Sequence, residues 1–208
     1  MLQTNSYQTE NLRSLQFPLS DRGLISRNYS VLEVAPLNKP IGDDGYSPIE
    51  LILLGVAEEL SKLDGRNAYA KILCAKGSKV QNSIETVNAI GNWNGKNGRD
   101  KFNHLYENHF NTINNIPNID IIHNHTYELT EYLSRHEINK PVVTTVHFSY
   151  ETEDLKPFLK DNNYYVAISK SHKRELEKSG IPNARVVYNG IDITKFLFKT
   201  INKITFFL

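Results

Sequence analysis

Four short runs of β-branched and other apolar residues, each ending abruptly in polar side chains, constrain this chain more than any other feature. They are Asn118-Ile-Asp-Ile-Ile-His-Asn-His125, Pro141-Val-Val-Thr-Thr-Val-His147, Tyr164-Tyr-Val-Ala-Ile-Ser-Lys-Ser171 and Arg185-Val-Val-Tyr-Asn-Gly-Ile-Asp192. Strands of a parallel sheet are buried on both faces, so they read as continuous apolar runs rather than as alternation. Their carboxyl ends open onto a crevice, and open α/β sheets bind ligands there. Polar residues clustered at the ends of such runs are therefore candidate ligand contacts.

The segments between and before these runs complete the plan. Tyr29–Ala35 reads as a strand that runs into Pro36. Ser47 is an expected N-cap, Pro48 suits the first helical position, and Glu50 completes a Ser-x-x-Glu capping box. Ile49, Leu53, Val56, Ala57, Leu60 and Leu63 then recur at helical spacing, up to a C-cap glycine at Gly65. Ala70–Ala75 is the next strand, and strand–helix–strand in this order implies a right-handed crossover and a parallel sheet. Residues 77–98 read as an Asn- and Gly-rich loop with a short strand or helix near 83–89. Helices are expected over 100–113, 127–136 and 171–179, the last stopped by Gly180 and Pro182. Strands are expected at 119–123, 142–147, 164–168 and 185–188. The fold class is α/β: a Rossmann-like, open, mainly parallel sheet with helices on both faces. Residues 1–28 form a polar N-terminal extension, 29–192 the domain, and 193–208 a linker with the apolar terminal run Lys203–Leu208.

Composition narrows the partners. Lys and Arg number 24 against 23 Asp and Glu, so charge gives no case for nucleic acid or an anionic membrane. Cys74, the single cysteine, lies in the apolar run Lys71–Ala75 and reads as a small core residue in a reducing compartment. No apolar run is long enough for a transmembrane segment, and the first residues lack the apolar stretch of a secretory signal. A cytoplasmic location is expected.

Taken in order, the four runs together with Asn189-Gly190-Ile191-Asp192 resemble the N-terminal, acceptor-side half of a GT-B fold. The enzymes concerned are retaining glycosyltransferases of the family-4 type, and the resemblance covers roughly Val31 to Asp192. It implies transfer of a hexose from a nucleotide-diphosphate sugar to an acceptor, with retained anomeric configuration and with no cofactor or metal. In such enzymes a second Rossmann domain carries basic residues for the leaving diphosphate and a Glu-x7-Glu pair for the donor. These 208 residues hold no such half. The resemblance thus implies a chain incomplete or inactive in isolation, or one that works with a separate C-terminal donor-domain protein.

The resemblance also assigns roles. His147, at the end of Val142–Val146, takes the catalytic position, where it meets the transferred sugar and supports positive charge developing at the anomeric carbon. His125 falls on the acceptor side of the cleft, and alternation sends His123 to the same face. Ser169 matches a serine near the sugar, although a helix N-cap is the more ordinary role for it. The loop after the first strand offers Gly42, Gly45 and Tyr46, with Glu50 at the following helix start, as substrate contacts. The family's Gly-Gly pair and Arg at that helix start are replaced by Ser47-Pro48 and Leu51, and Pro48 has no N–H to offer a phosphate.

Two other readings stand beside this one. The domain is alternatively a non-catalytic glycan- or protein-binding module that uses the same crevice. The three histidines, with Glu128 or Asp154, alternatively hold a zinc ion for hydrolysis.

Overall fold

A computed structural model of the chain describes residues 29–37, 40–42, 48–62, 68–80, 84–88, 98–148, 163–181 and 183–190. Asp43, Asp44, Gly45, Tyr46, Ser47, Leu63, Gly65, Asp154, Pro182, Ile191 and Asp192 lie outside these residues, as do 1–28 and 193–208.

Seven strands form one sheet: β1 (Tyr29–Val34), β2 (Ala68–Cys74), β3 (Glu85–Asn88), β4 (Ile121–Asn124), β5 (Val142–Val146), β6 (Asn163–Ala167) and β7 (Arg185–Val186). Their order is β3-β2-β1-β4-β5-β6-β7, and every neighbouring pair is parallel. The short element expected near residues 83–89 is the edge strand β3. The helices are α1 (Pro48–Ser61), α2 (Gly98–Asn111), α3 (Tyr127–Arg135) and α4 (Lys170–Lys178). Each lies between two strands in sequence, which is the crossover that parallel neighbours require.

Helices cover both faces of the sheet. On one face Leu53 and Ala57 of α1 pack with Ala70, Ile72 and Cys74 of β2. On the other, Tyr106 and Phe110 of α2 and Leu129, Tyr132 and Leu133 of α3 pack on Leu32, Val34 and Leu73. Residues 72 and 73 thus go to opposite layers, as the two-residue period of a strand dictates. Cys74 is fully buried, and burial raises its thiol pKa, so it is an unreactive part of the core. Among the described residues no helix is long and apolar enough to cross a membrane.

The end of α4 follows from one glycine. Gly180 has φ +88°, its N–H donates to the Glu177 carbonyl, and the Ile181 N–H donates to the Leu176 carbonyl. This paired arrangement closes a helix when a residue without a Cβ penalty adopts the left-handed conformation. Ile181 and Leu176 then join the same apolar cluster, which anchors the chain before β7.

Candidate active site

The strand order reverses direction between β1 and β4. Connections leave β1 toward β2 on one side and β4 toward β5 on the other, which opens a crevice at their carboxyl ends. The register puts Glu33 directly beside His123, and Val34 beside Asn124. Glu33 therefore sits at the switch point with its side chain on the same face as His123.

The turn after β4 is fixed by Asn124, which is fully buried. Its amide donates to the Thr126 carbonyl at 2.9 Å, to Thr130 Oγ1 at 3.0 Å and to Thr144 Oγ1 at 3.2 Å. Its Oδ1 accepts from the Thr126 N–H at 2.8 Å and from the Thr126 hydroxyl at 3.0 Å. Thr126 Oγ1 in turn caps α3 by accepting from the Leu129 N–H. His125 is held between these two residues, and its N–H donates to the Val34 carbonyl. The strand-to-helix turn thus presents the His125 ring at a fixed angle.

A chain of hydrogen bonds runs from Glu33 outward. Glu33 Oε2 lies 2.8 Å from His125 Nε2 and 2.9 Å from His123 Nδ1. His125 Nδ1 lies 3.0 Å from His147 Nε2, and His123 Nε2 lies 2.8 Å from Thr145 Oγ1. An ionised carboxylate only accepts, so both imidazoles present N–H to Glu33. His125, with its proton on Nε2, accepts at Nδ1 from the Nε2–H of His147. That leaves the His147 Nδ1 lone pair without a partner among the described residues. His123 likewise accepts from the Thr145 hydroxyl. One buried charge thereby sets the tautomers of three histidines.

Electrostatics agree with this assignment. Burial pushes the Glu33 carboxyl pKa up, but His123 and His125 outweigh burial and hold it below the ordinary carboxylate value. Burial lowers the His125 pKa, against the pull of Glu33, and keeps that ring neutral at physiological pH. His147 is lowered to about 4, first by burial and then by His125, His123 and His172 nearby. His172 is itself tied down, with Nδ1 accepting from the Ile168 N–H and Nε2 donating to the Phe148 carbonyl. It links the start of α4 to the loop after β5.

The ligand atoms of Glu33, His123 and His125 lie within 4.8 Å of one another, a spacing that a metal ion could use. The hydrogen bonds fit a different role. Both imidazoles direct N–H at the carboxylate, and a cation there would need both to turn lone pairs inward.

A cavity of about 650 Å³ opens beside His147. It is lined by Pro36 after β1, by Pro48, Ile49, Glu50 and Ile52 of α1, by Tyr106 of α2, and by residues 125–128. His147, Phe148, Ile168 and Asn189 complete the lining. Of the residues proposed from the sequence, His147, His125 and Glu50 meet here. His123 stands behind His125, with its ring centroid 4.1 Å from it. Ser169 is not in the lining; its hydroxyl accepts from the His172 N–H and caps α4. Gly42 is also outside the lining, and it has φ +91° with the Lys79 carbonyl 2.6 Å from where a Cβ would stand. Close packing of two loops accounts for that glycine.

The sequence profile of Glycosyltransferase Family 4 matches residues 56–195, well over half of the chain. The chain belongs to this family. The family-4 match and the all-parallel sheet together define the N-terminal half of a GT-B fold, and membership implies transferase chemistry on sugar substrates. No curated protein matches the chain closely enough to make this more specific.

Within this family-4 domain, sequence reading missed Glu33 and Asn124. A signal for Glu33 was present: an acidic residue inside an apolar strand must have buried partners. Which partners it has depends on β1 lying next to β4, and strand order is not written in local sequence. Asn124 stood between two histidines and drew less notice than they did, although it builds the turn that aims one of them.

Proposed function

We propose that the chain is the acceptor-side half of a retaining hexosyltransferase, with His147 as the residue that meets the transferred sugar. The observation that carries this reading is the position of His147: it lies at the carboxyl end of β5 and on the wall of the cavity, backed through His125 by buried Glu33.

The chemistry follows from charge. Retaining transfer passes through a state in which the anomeric centre is positively charged, so a cationic residue beside it would oppose the reaction. With its pKa near 4, His147 is uncharged at neutral pH and offers electron density instead. Any partial positive charge induced on the ring is shared through His125 toward the Glu33 carboxylate. Acceptor and donor are oriented by the walls of the cavity, which removes much of the entropic barrier.

The departing diphosphate needs cationic donors, and none of the described lining residues is Lys or Arg. Transfer accordingly requires a second, basic surface that closes over the crevice, as a donor-binding domain would supply. The isolated half binds nucleotide sugar weakly and turns over slowly or not at all.

The test is reconstitution. The chain is combined with a family-4 donor domain and nucleotide sugars, and transfer is followed with His147 and with His147→Ala. Loss of about 2.7–4 kcal/mol of transition-state stabilisation, or 10²–10³ in kcat, is expected by analogy with removal of one electrostatic contact. Unchanged turnover in the variant would remove His147 from the mechanism. Retained glycan binding with no transfer under any pairing would favour a non-catalytic module.

A further inference from the structure

The wall of the cavity formed by α1 holds a polar group in an unusual state. The buried stripe of α1 is Glu50, Leu53 and Ala57, so a carboxyl group occupies a place where spacing calls for an apolar residue. Glu50 is only 2% exposed, and its Oε2 is buried without a hydrogen-bond partner among the described residues. A buried carboxyl oxygen left unpaired is strongly unfavourable, and native structures rarely keep one without a use. Glu50 lines the cavity, so a bound molecule can supply the missing partner.

A second carboxyl group, that of Glu128 at the start of α3, lines the same space. Glu128 is half-buried, and burial raises its pKa. No Lys or Arg is among the described lining residues. The remaining walls are apolar, with Ile49 and Ile52 from α1 and the 59% exposed ring of Phe148. An entering phosphate would bring negative charge against two carboxyl groups in a low-dielectric space. The amino end of α1 offers it little help: Pro48 has no N–H, and Glu50 already supplies an acidic group in the first turn. A hydroxyl group, by contrast, can both donate to and accept from such oxygens, while a sugar's C–H face or an alkyl chain covers the apolar walls.

We infer that this cavity binds a neutral, hydroxyl-rich acceptor with an apolar face or tail, held by Glu50 and Glu128, and discriminates against acceptors that carry phosphate at that point. The inference deepens the glycosyltransferase reading above and rests on it for the word acceptor.

Three probes with one tail and different heads test it on the full chain below their micelle concentrations: octyl glucoside, octyl phosphate and octylammonium. Binding is read from saturable shifts of the His147 side-chain NMR signals, which report on the cavity itself. Octyl glucoside is expected to bind at least about tenfold more tightly than octyl phosphate. Glu50→Gln, a near-isosteric change, is expected to weaken the glucoside about fivefold, the size of one net hydrogen bond. Glu128→Gln is expected to narrow the gap between glucoside and phosphate, and its folding does not depend on the buried stripe of α1. Octyl phosphate binding as tightly as the glucoside would overturn the inference, as would octylammonium binding more tightly than both. Glucoside affinity unchanged in both variants would overturn it too. The two readings fail separately. A reconstituted enzyme that transfers only to a phosphorylated acceptor defeats this inference and leaves the glycosyltransferase reading intact. Glucoside binding without transfer in any pairing does the reverse.

Discussion

Replacing Glu33 with Gln should damage both the stability of the fold and the state of His147. Glu33 is fully buried and accepts from His125 at 2.8 Å and from His123 at 2.9 Å. A carboxylate taken out of water is costly, and on that ground alone its removal would be stabilising. The direction of its pKa decides otherwise: the surroundings hold it below its ordinary value, so the folded protein favours the charged form over the neutral one. Each hydrogen bond to a charged acceptor contributes about 1.5–3 kcal/mol, and a Gln oxygen in the Oε2 place restores both only as neutral bonds of about 1 kcal/mol each. The expected net loss is about 1–4 kcal/mol. With the amide turned the other way, its NH2 confronts both imidazole N–H groups unless the rings change tautomer. If His125 turns its proton to Nδ1, His147 must accept at Nε2 and carry its own proton on Nδ1. The assay is urea unfolding at neutral pH, together with long-range ¹H–¹⁵N spectra that distinguish Nδ1–H from Nε2–H. Unchanged stability with unchanged tautomers at His125 and His147 would refute the assigned chain. The pH dependence carries the same sign. A depressed carboxylate pKa contributes stability above the unfolded value, here 4.5, and loses it as pH falls through the lower folded value. Glu33→Gln should flatten that part of the acid limb.

Three further predictions concern other residues. His109 is fully buried, both ring nitrogens lack partners among the described residues, and burial lowers its pKa to about 3. Its stability contribution is complete above the ordinary 6.5 and should fall by about 1.4 kcal/mol per pH unit from there toward 3; His109→Phe should remove this slope in denaturation curves measured across that range. Gly42→Ala should cost about 2 kcal/mol or more from the positive φ, and further from the contact with the Lys79 carbonyl, read as a lower melting temperature; an unchanged melt would contradict the loop packing. If Glu33, His123 and His125 form a hydrogen-bonded group and not a zinc site, dialysis against a chelator should leave the melting temperature unchanged, and native mass spectrometry after gentle purification should find no stoichiometric zinc.

Much of the fold was legible because the period of a pattern is a local property. Uninterrupted runs such as Val142–Val146 identify strands buried on both faces, and the spacing of Leu53 and Ala57 identifies a helix on a sheet. The ends of elements also follow local chemistry, as the capping by Ser169 and the left-handed Gly180 illustrate. The ordered motifs from Asn118 onward were enough to place the chain within family 4, because each motif marks where a strand meets the crevice. His147 and His125 were legible as candidates for the same reason.

Tertiary structure decided the rest. That Glu33 meets His123 and His125 depends on β1 and β4 becoming neighbours across some ninety residues of sequence, and no local signal encodes that pairing. The same holds for Glu50, whose spacing marks a helix start but not the cavity wall, where its Oε2 has no partner among the described residues. The contact of Gly42 with the Lys79 carbonyl likewise depends on two loops meeting in space. Residue type and period determine which elements form and which ends are polar. Burial and proximity determine the charge, tautomer and partner of each side chain, because these depend on distance in space, and only the assembled sheet sets that distance.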